Sequence, residues 1–179
     1  MSIPDLRIET ERLILRPPIA GDFDAYAANM ADPEAARFIG GRQSREMAWR
    51  GFLTLAGAWA IQGFAMFSVI EKASGRWIGR LGPWHPEGWP GTEIGWGLAR
   101  EAWGKGYAHE GCVAAIGWAF QHLGWSEVIH SIHPDNLASR ALARRLGSTC
   151  RGLQKLPPPY ADSPNERWSQ TREQWLRRS

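Results

Sequence analysis

A short glycine-rich turn between a predicted strand and a predicted helix restricts most strongly how this chain can fold. The turn runs from Trp103 to Ala108 and contains Gly104 and Gly106 on either side of Lys105. Glycine permits a sharp turn that leaves backbone amides bare, and bare amides at a helix start attract phosphate. The sequence therefore predicts that a phosphate-bearing ligand binds here. A turn that only reverses the chain is the alternative interpretation.

The same turn differs from two common nucleotide-binding motifs. No Ser or Thr follows a Gly-Lys pair at the spacing of a P-loop, and the pattern Gly-x-Gly-x-x-Gly is missing from the turn. These differences argue against a free-standing nucleotide hydrolase.

The spacing of apolar residues predicts alternating strands and helices in one domain that covers residues 1–179. The predicted strands are residues 7–16, 64–72, 76–84, 92–99, 128–133, 148–155 and 167–175. The predicted helices are residues 22–31, 45–62, 106–123 and 136–146, with Ser44 as the N-cap of the second. This order predicts an α/β (α+β) fold with a mixed sheet covered by helices.

The composition is that of an ordinary globular protein and excludes several classes. Hydrophobic residues make up 44% and charged residues 22% of 179 residues, and the net charge is +3. From Arg140 onward there are nine Lys or Arg against three Asp or Glu, an excess too small to favour a nucleic-acid partner. No apolar run of about 18 residues predicts a membrane span, and residues 1–11 lack a secretion signal. We therefore expect a cytoplasmic protein.

The thiols and imidazoles show no metal-ligand spacing. Cys112 and Cys150 are far apart and are both predicted to be buried thiols. His109 and His122 lie on one predicted helix, but they are not four residues apart. The sequence predicts no metal site.

Four segments of the chain resemble the GCN5-related N-acetyltransferase (GNAT) family. Residues 92–98 and 103–110 are similar to motif A of that family, and residues 9–17 are similar to the opening strand of one subfamily. Residues 133–136, with Ser139 and residues 146–147, resemble its asparagine-containing junction, and residues 167–175 resemble its closing strand. The resemblance is closest to the ribosomal-protein N-terminal acetyltransferases (RimJ/RimL-like).

This resemblance implies a fold and a cosubstrate. The fold is a single mixed, mostly antiparallel sheet, splayed at its centre and flanked by helices. The cosubstrate is acetyl-CoA, with its pyrophosphate on the glycine-rich turn and its pantetheine arm between the end of a splayed strand and the helix near Asn136. The implied acetyl-CoA-binding residues are Leu98, Ala99, Arg100, Trp103, Gly104, Lys105, Gly106, Tyr107, Ala108, Asn136 and Ser139.

Glu93 is the candidate general base of the reaction. Acetyl transfer needs a neutral amine, and a carboxylate near the amine is the simplest proton acceptor. Strand alternation puts Glu93, Gly95 and Gly97 on one face, so the carboxylate is expected to face open space. The subfamily typically has glutamate at this position. A solvated or salt-bridged strand glutamate is the alternative.

Ser139 is the candidate hydrogen-bond donor to the CoA sulfur. Many GNAT enzymes carry a tyrosine on the last long helix, but Ala143 occupies the aligned position here. The subfamily usually lacks that tyrosine and has a serine that aligns with Ser139. A local backbone partner is the alternative role for a serine in a first helical turn. The resemblance also implies an oxyanion donor, the amide near Leu98 or Ala99.

The chain contains 11 tryptophans, and four of them lie near the predicted cosubstrate strand. These four are Trp84, Trp89, Trp96 and Trp103. They predict either an aromatic acceptor pocket or a contribution to core packing or to a dimer contact.

Taken together, the sequence predicts an acetyl-CoA-dependent N-acetyltransferase that acts on a primary amine by direct attack in a ternary complex. The acceptor is a protein N-terminus or a small molecule, and the protein is a monomer or homodimer. The first alternative is a non-catalytic acyl-CoA sensor with the same fold. The second is a nucleic-acid-associated module that uses the basic C-terminal half.

Overall fold

Eight strands form one sheet in the computed structural model, which describes residues 5–178. The strands are β1 (Ile8–Glu9), β2 (Leu13–Arg16), β3 (Phe67–Glu71), β4 (Trp77–Trp84), β5 (Glu93–Leu98), β6 (Glu127–Ile132), β7 (Thr149–Gln154) and β8 (Asn165–Thr171). Their order across the sheet is β1-β2-β3-β4-β5-β6-β8-β7. Neighbouring strands are antiparallel except β5 and β6, which are parallel.

Six α-helices flank the sheet within the described residues. They are α1 (Phe23–Ala31), α2 (Pro33–Ala36), α3 (Arg45–Gln62), α4 (Tyr107–His122), α5 (Leu137–Arg145) and α6 (Arg172–Leu176). Local signals fix their ends: the Ser44 hydroxyl accepts the Met47 amide at the start of α3, and Gly63 ends that helix with φ 80°. The Asn136 side chain likewise caps α5.

The helices cover both faces of the sheet, so each face is buried. Helix α4 packs over Leu81, because a Cβ added at Gly111 would lie 2.6 Å from a Leu81 methyl carbon. Helix α1 covers the opposite face of β4, where the Tyr26 ring lies 5.9 Å from the Arg80 guanidinium. Burying an apolar side chain such as Leu81 contributes roughly 2 kcal/mol to folding.

The predicted fold class is confirmed, and two predicted strands need correction. Residues 7–16 form two short antiparallel strands, since the backbone turns between Glu9 and Leu13. The last strand ends at Thr171, whose hydroxyl accepts the Gln174 amide and starts helix α6. This capping box at the C-terminal segment explains why a single strand to residue 175 was the wrong prediction.

Two further observations concern the described residues alone. Cys112 is buried as predicted, but Cys150 is exposed, because β7 is an edge strand that packs few side chains. Within residues 5–178, none of the helices combines the length and the hydropathy that crossing a bilayer requires.

Candidate active site

Strands β5 and β6 separate soon after they meet, and side chains take over the hydrogen bonds that a continuous ladder would supply. The pairing is Glu93 opposite Ile129, with the Ile129 amide donating to the Thr92 carbonyl at 2.9 Å. Farther along β5, the Ile94 carbonyl lies 2.7 Å from His130 Nδ1. Trp103 Nε1 donates to the Leu98 carbonyl at 2.8 Å. The result is a gap between two central strands.

His130 is a fully buried, neutral imidazole at this gap. Burial lowers the pKa of His130 from 6.5 to about 4, although the hydrogen bond with the Ile94 carbonyl opposes that shift. A carbonyl only accepts, so Nδ1 carries the proton and Nε2 accepts from the Ser148 hydroxyl at 3.0 Å. The Gln170 amide donates to the same Ser148 oxygen at 3.0 Å. This chain of bonds holds β5, β6 and β8 in place where the sheet opens.

A groove of about 480 Å³ begins at the glycine-rich turn and runs along the end of β5. Gly104 and Gly106 have φ 72° and 81°, left-handed conformations that favour glycine. Among residues 5–178, no side chain caps the amides at the start of α4. A Cβ added at Gly104 would meet no atom within 4 Å, so the turn borders free space. The turn can therefore hold an anion on bare amides.

Arg12, the residue before strand β2, braces this turn. Its Nη1 donates to the Lys105 carbonyl at 2.9 Å, and its Nε donates to the Glu110 carboxylate at 2.7 Å. Burial acts to raise the pKa of Glu110, but hydrogen bonds from Thr10 and Arg12 outweigh it and keep that pKa below 4.5. The carboxylate in the first turn of α4 is thus ionised and fixed to the strand.

A second and larger cleft of about 870 Å³ lies on the sheet face that α1 covers. Glu93 lines it and is only 6% exposed. One carboxylate oxygen accepts hydrogen bonds from Trp89 Nε1 at 2.5 Å and from the Ser131 hydroxyl at 2.7 Å. The other lies 3.3 Å from the Ser131 amide. Burial raises the pKa of Glu93 above 4.5, and these hydrogen bonds partly oppose the rise.

The expectation that Glu93 faces open space is therefore wrong, although its face of the strand was predicted correctly. A Cβ added at Gly95 would lie 3.6 Å from Glu93 Oε1, as expected for residues on one face. The same Cβ would lie 2.5 Å from the Met66 methyl carbon, so Met66 fills the space above Gly95. Met66 precedes β3, whereas Trp89 lies on the loop that leads into β5, four residues before Glu93. The β5 sequence contains no signal for either contact.

The groove and the cleft meet at the start of α5. Trp96, Asn136 and Ser139 line both of them. The Ser139 hydroxyl accepts a hydrogen bond from Trp96 Nε1 at 3.0 Å, and the Ser139 amide donates to Asn136 Oδ1 at 3.1 Å. A hydroxyl that accepts from an indole keeps its own proton free to donate. The partner of the Ser139 hydroxyl is thus a side chain from β5 rather than the local backbone.

Most of the sequence-predicted cosubstrate residues lie along the groove. Those that line it are Leu98, Trp103, Gly104, Gly106, Tyr107, Ala108, Asn136 and Ser139. Ala99, Arg100 and Lys105 do not line it. Arg100 is exposed and lies 3.4 Å from an Asp32 oxygen, and the Lys105 side chain is exposed.

One of the two candidate oxyanion donors already makes a hydrogen bond within the sheet. The Ala99 amide donates to the Ile78 carbonyl of β4 at 2.9 Å. Because amides along an antiparallel strand alternate in direction, the Leu98 amide points away from β4 and toward the gap. Leu98 is thus the candidate that the backbone geometry favours.

The tryptophan cluster divides between the two spaces. Trp84, Trp89 and Trp96 line the larger cleft, and Trp103 and Trp96 line the groove. Sequence reasoning missed Ser131 and His130 as site residues, because strand pairing across β5 and β6 brings them near Glu93 and Ile94. It also missed Arg80, whose only signal was a charged residue inside an apolar strand.

No group of three or more His, Cys, Asp or Glu side chains suited to a metal ion occurs in the part of the chain that the structure describes.

An opened sheet, a glycine-rich turn with bare amides and a buried carboxyl thus lie together at the centre of the fold. The family model described as an acetyltransferase (GNAT) domain matches residues 12–149. The crystal structure of an acetyltransferase from Agrobacterium tumefaciens str. C58 is similar, with 32% identity, a TM-score of 0.81 and 96% of each chain covered. The chain belongs to the GNAT acetyltransferase family.

Other relatives carry more specific names. FsC-acetyl coenzyme A-N(2)-transacetylase from Aspergillus fumigatus is 39% identical over 90 residues, which cover 48% of this chain and 38% of that protein. The chain thus spans well under half the length of this relative. Ribosomal-protein-S5-alanine acetyltransferase from Vibrio fischeri shares the fold, with a TM-score of 0.76 and 21% identity over 96% of this chain and 99% of that one.

Proposed function

We propose that this acetyltransferase moves the acetyl group of acetyl-CoA to a primary amine in a ternary complex. The observation that carries the proposal is the meeting of the anion-binding groove and the carboxyl-bearing cleft at Trp96 and Ser139. Two ligands could enter from opposite sides and touch at this junction. The name of the Aspergillus relative, which includes acetyl coenzyme A, supports the choice of cosubstrate.

The residues of the groove fit acetyl-CoA. The bare amides after Gly106 would hold the pyrophosphate, and the end of β5 at Leu98 would pair with the pantetheine arm. Bound acetyl-CoA supplies the activated acetyl thioester. The helix start at Asn136 closes the other wall of the groove.

Glu93 then serves as the general base. A lysine-type amine has a pKa near 10.4 and an α-amine one near 7.7 to 8.0, so a proton must leave before attack. Burial raises the pKa of Glu93 above its usual range, which makes its carboxylate a stronger base than an exposed glutamate. The Leu98 amide would stabilise the negative charge on the acetyl oxygen, and the free Ser139 hydroxyl would donate to the departing sulfur.

The narrower assignments are part of the same proposal. The fold likeness to the ribosomal-protein enzyme, together with the sequence motifs, supports a RimJ/RimL-like enzyme. We also propose a single domain, a cytoplasmic location, no nucleic-acid or membrane partner, no metal, and either a monomer or a homodimer.

Calorimetry with acetyl-CoA, followed by a thiol-release assay with an amine panel, tests the proposal. We expect saturable acetyl-CoA binding and release of free CoA with at least one amine. Absence of acetyl-CoA binding would contradict the proposal. Binding without thiol release across N-terminal peptides and small amines would instead favour an acyl-CoA sensor.

Replacing Arg12 by Met should weaken acetyl-CoA binding about 3- to 10-fold, because the turn loses its brace to β2. A change of this size is expected when a partly exposed ion pair with good geometry is lost. Calorimetry measures the change, and kcat at saturating acetyl-CoA should stay near the wild-type value. Arg7→Met removes an exposed charge from the same edge and serves as the control. Equal affinities of the two variants would refute the bracing role.

A further inference from the structure

Arg80 lies in the larger cleft, and its guanidinium has fewer partners than a partly buried cation needs. It makes no ion pair with any residue in the described range 5–178. Its Nε is buried without a hydrogen-bond acceptor, and its Nη1 lies 2.8 Å from the Met66 sulfur. Thioether sulfur is a weak acceptor, so the guanidinium remains under-satisfied. Such an arrangement costs stability unless a ligand completes it.

The position of Arg80 relates it directly to the candidate base. In the β4–β5 pair, Arg80 lies opposite Gly97 and Trp84 lies opposite Glu93. Directly opposed residues share a face, so Arg80 and Glu93 both point toward the larger cleft, which both of them line. Four residues separate the two pairs, which corresponds to roughly 13 Å along the strand. The Met66 side chain lies between them, against Gly95 and 2.8 Å from Arg80 Nη1, so a ligand that reaches both groups passes beside Met66.

We infer that the acceptor is a small amine that carries a carboxylate, with Arg80 as the residue that binds it. The planar guanidinium matches a carboxylate through paired charged hydrogen bonds. A carboxylate is favoured over a phosphate dianion because Glu87, Glu93 and Asp135 line the same cleft as Arg80 and Arg37, so its lining has no excess of positive charge for a second negative charge. The inference rests on the proposed function and narrows its substrate class.

The acceptor needs an amine at one end and a carboxylate at the other. An extended tripeptide spans about 10 Å, long enough to place its amine near Glu93 and its carboxylate near Arg80. Tri-alanine with a free C-terminal carboxylate, compared with tri-alanine amide, is therefore the matched pair of probes.

The wild-type protein should acetylate tri-alanine with a kcat/KM roughly 10- to 100-fold above that for tri-alanine amide, as expected for a charged hydrogen bond. Arg80→Met should abolish this preference, mainly through a lower kcat/KM for tri-alanine, while acetyl-CoA affinity stays near wild type because Arg80 does not line the groove. Arg80→Lys keeps the positive charge but loses the planar guanidinium, so it should retain part of the preference for tri-alanine. Arg76→Met removes an exposed arginine that pairs with Glu101 and should leave the preference unchanged.

A binding measurement keeps the test independent of turnover. In the presence of CoA, N-acetyl-tri-alanine should bind the wild type more tightly than its C-terminal amide, measured by calorimetry. Equal or absent binding of the two products would overturn the inference about Arg80. If amines are acetylated with no preference for the carboxylate, the inference fails and the proposed function stands. If acetyl-CoA does not bind, the proposed function fails, and the inference that rests on it fails as well.

Discussion

Glu93→Gln should lower kcat/KM for the amine by about 10²- to 10⁴-fold while acetyl-CoA affinity changes little. A positioned general base contributes roughly that factor, and the glutamine amide is too weak a base to replace it. The change is nearly isosteric, so the contacts with Trp89 and Ser131 are largely preserved. Thiol-release kinetics measure the rate, and calorimetry measures the affinity in the groove, which Glu93 does not line.

The pH profile gives a second measure of the same prediction. Because burial raises the pKa of Glu93 above 4.5, the wild-type rate should rise with pH as this group loses its proton. The Glu93→Gln variant should lose this rise, and its rate should depend on pH only through the ionisation of the amine. Glu46→Gln, an exposed change on α3, should leave rate and profile unaltered. A variant at position 93 with wild-type kcat/KM and profile would remove Glu93 from the mechanism.

His130→Leu should lower the free energy of unfolding by about 3 kcal/mol at pH 7. The change leaves the Ile94 carbonyl and the Ser148 hydroxyl buried without their partner, and each unsatisfied group costs roughly 1–3 kcal/mol. His130→Asn keeps a donor near the Nδ1 position and should recover part of the loss. Denaturant unfolding followed by tryptophan fluorescence measures all three proteins.

The same variant should show a pH dependence of known sign. The pKa of His130 falls from 6.5 to about 4 on folding, so the unfolded chain binds more protons between those values. The stability from neutral His130 is complete above pH 6.5 and is lost as the pH falls toward 4. The difference between wild type and His130→Leu should therefore shrink by about 1 kcal/mol per pH unit over this window.

Wild type must be compared with His130→Leu because Glu93 changes the free energy of unfolding with pH in the opposite direction. Its raised pKa means that the folded state keeps a proton that the unfolded chain loses, so this contribution falls as the pH rises above 4.5. The difference between the two proteins cancels the Glu93 contribution. Exposed His85, replaced by Leu, controls for the loss of a histidine. A pH-independent difference would contradict the neutral, buried assignment of His130.

Local features of the fold were predictable because neighbouring residues determine them. Ser44 and Asn136 cap the helices that they were expected to begin, and the glycine-rich turn lies between β5 and α4 as predicted. The face of β5 that carries Glu93 follows from alternation alone. The capping box that begins at Thr171 is also local, because the pattern Thr-x-x-Gln marks it in the sequence.

The sequence by itself determined most of the order of strands and helices and the position of the glycine-rich turn, because these depend on residues close together in the chain, and the order of its short motifs indicated the family. Only the tertiary structure decided that Glu93 is buried against Trp89 and Ser131, that His130 bonds to β5 across the opened sheet, and that Arg80 Nε has no hydrogen-bond acceptor within residues 5–178. Except for Trp89 and Glu93, which are four residues apart, these features bring together residues far apart in sequence. Their geometry depends on strand order and on how loops pack over the sheet, which no single segment encodes.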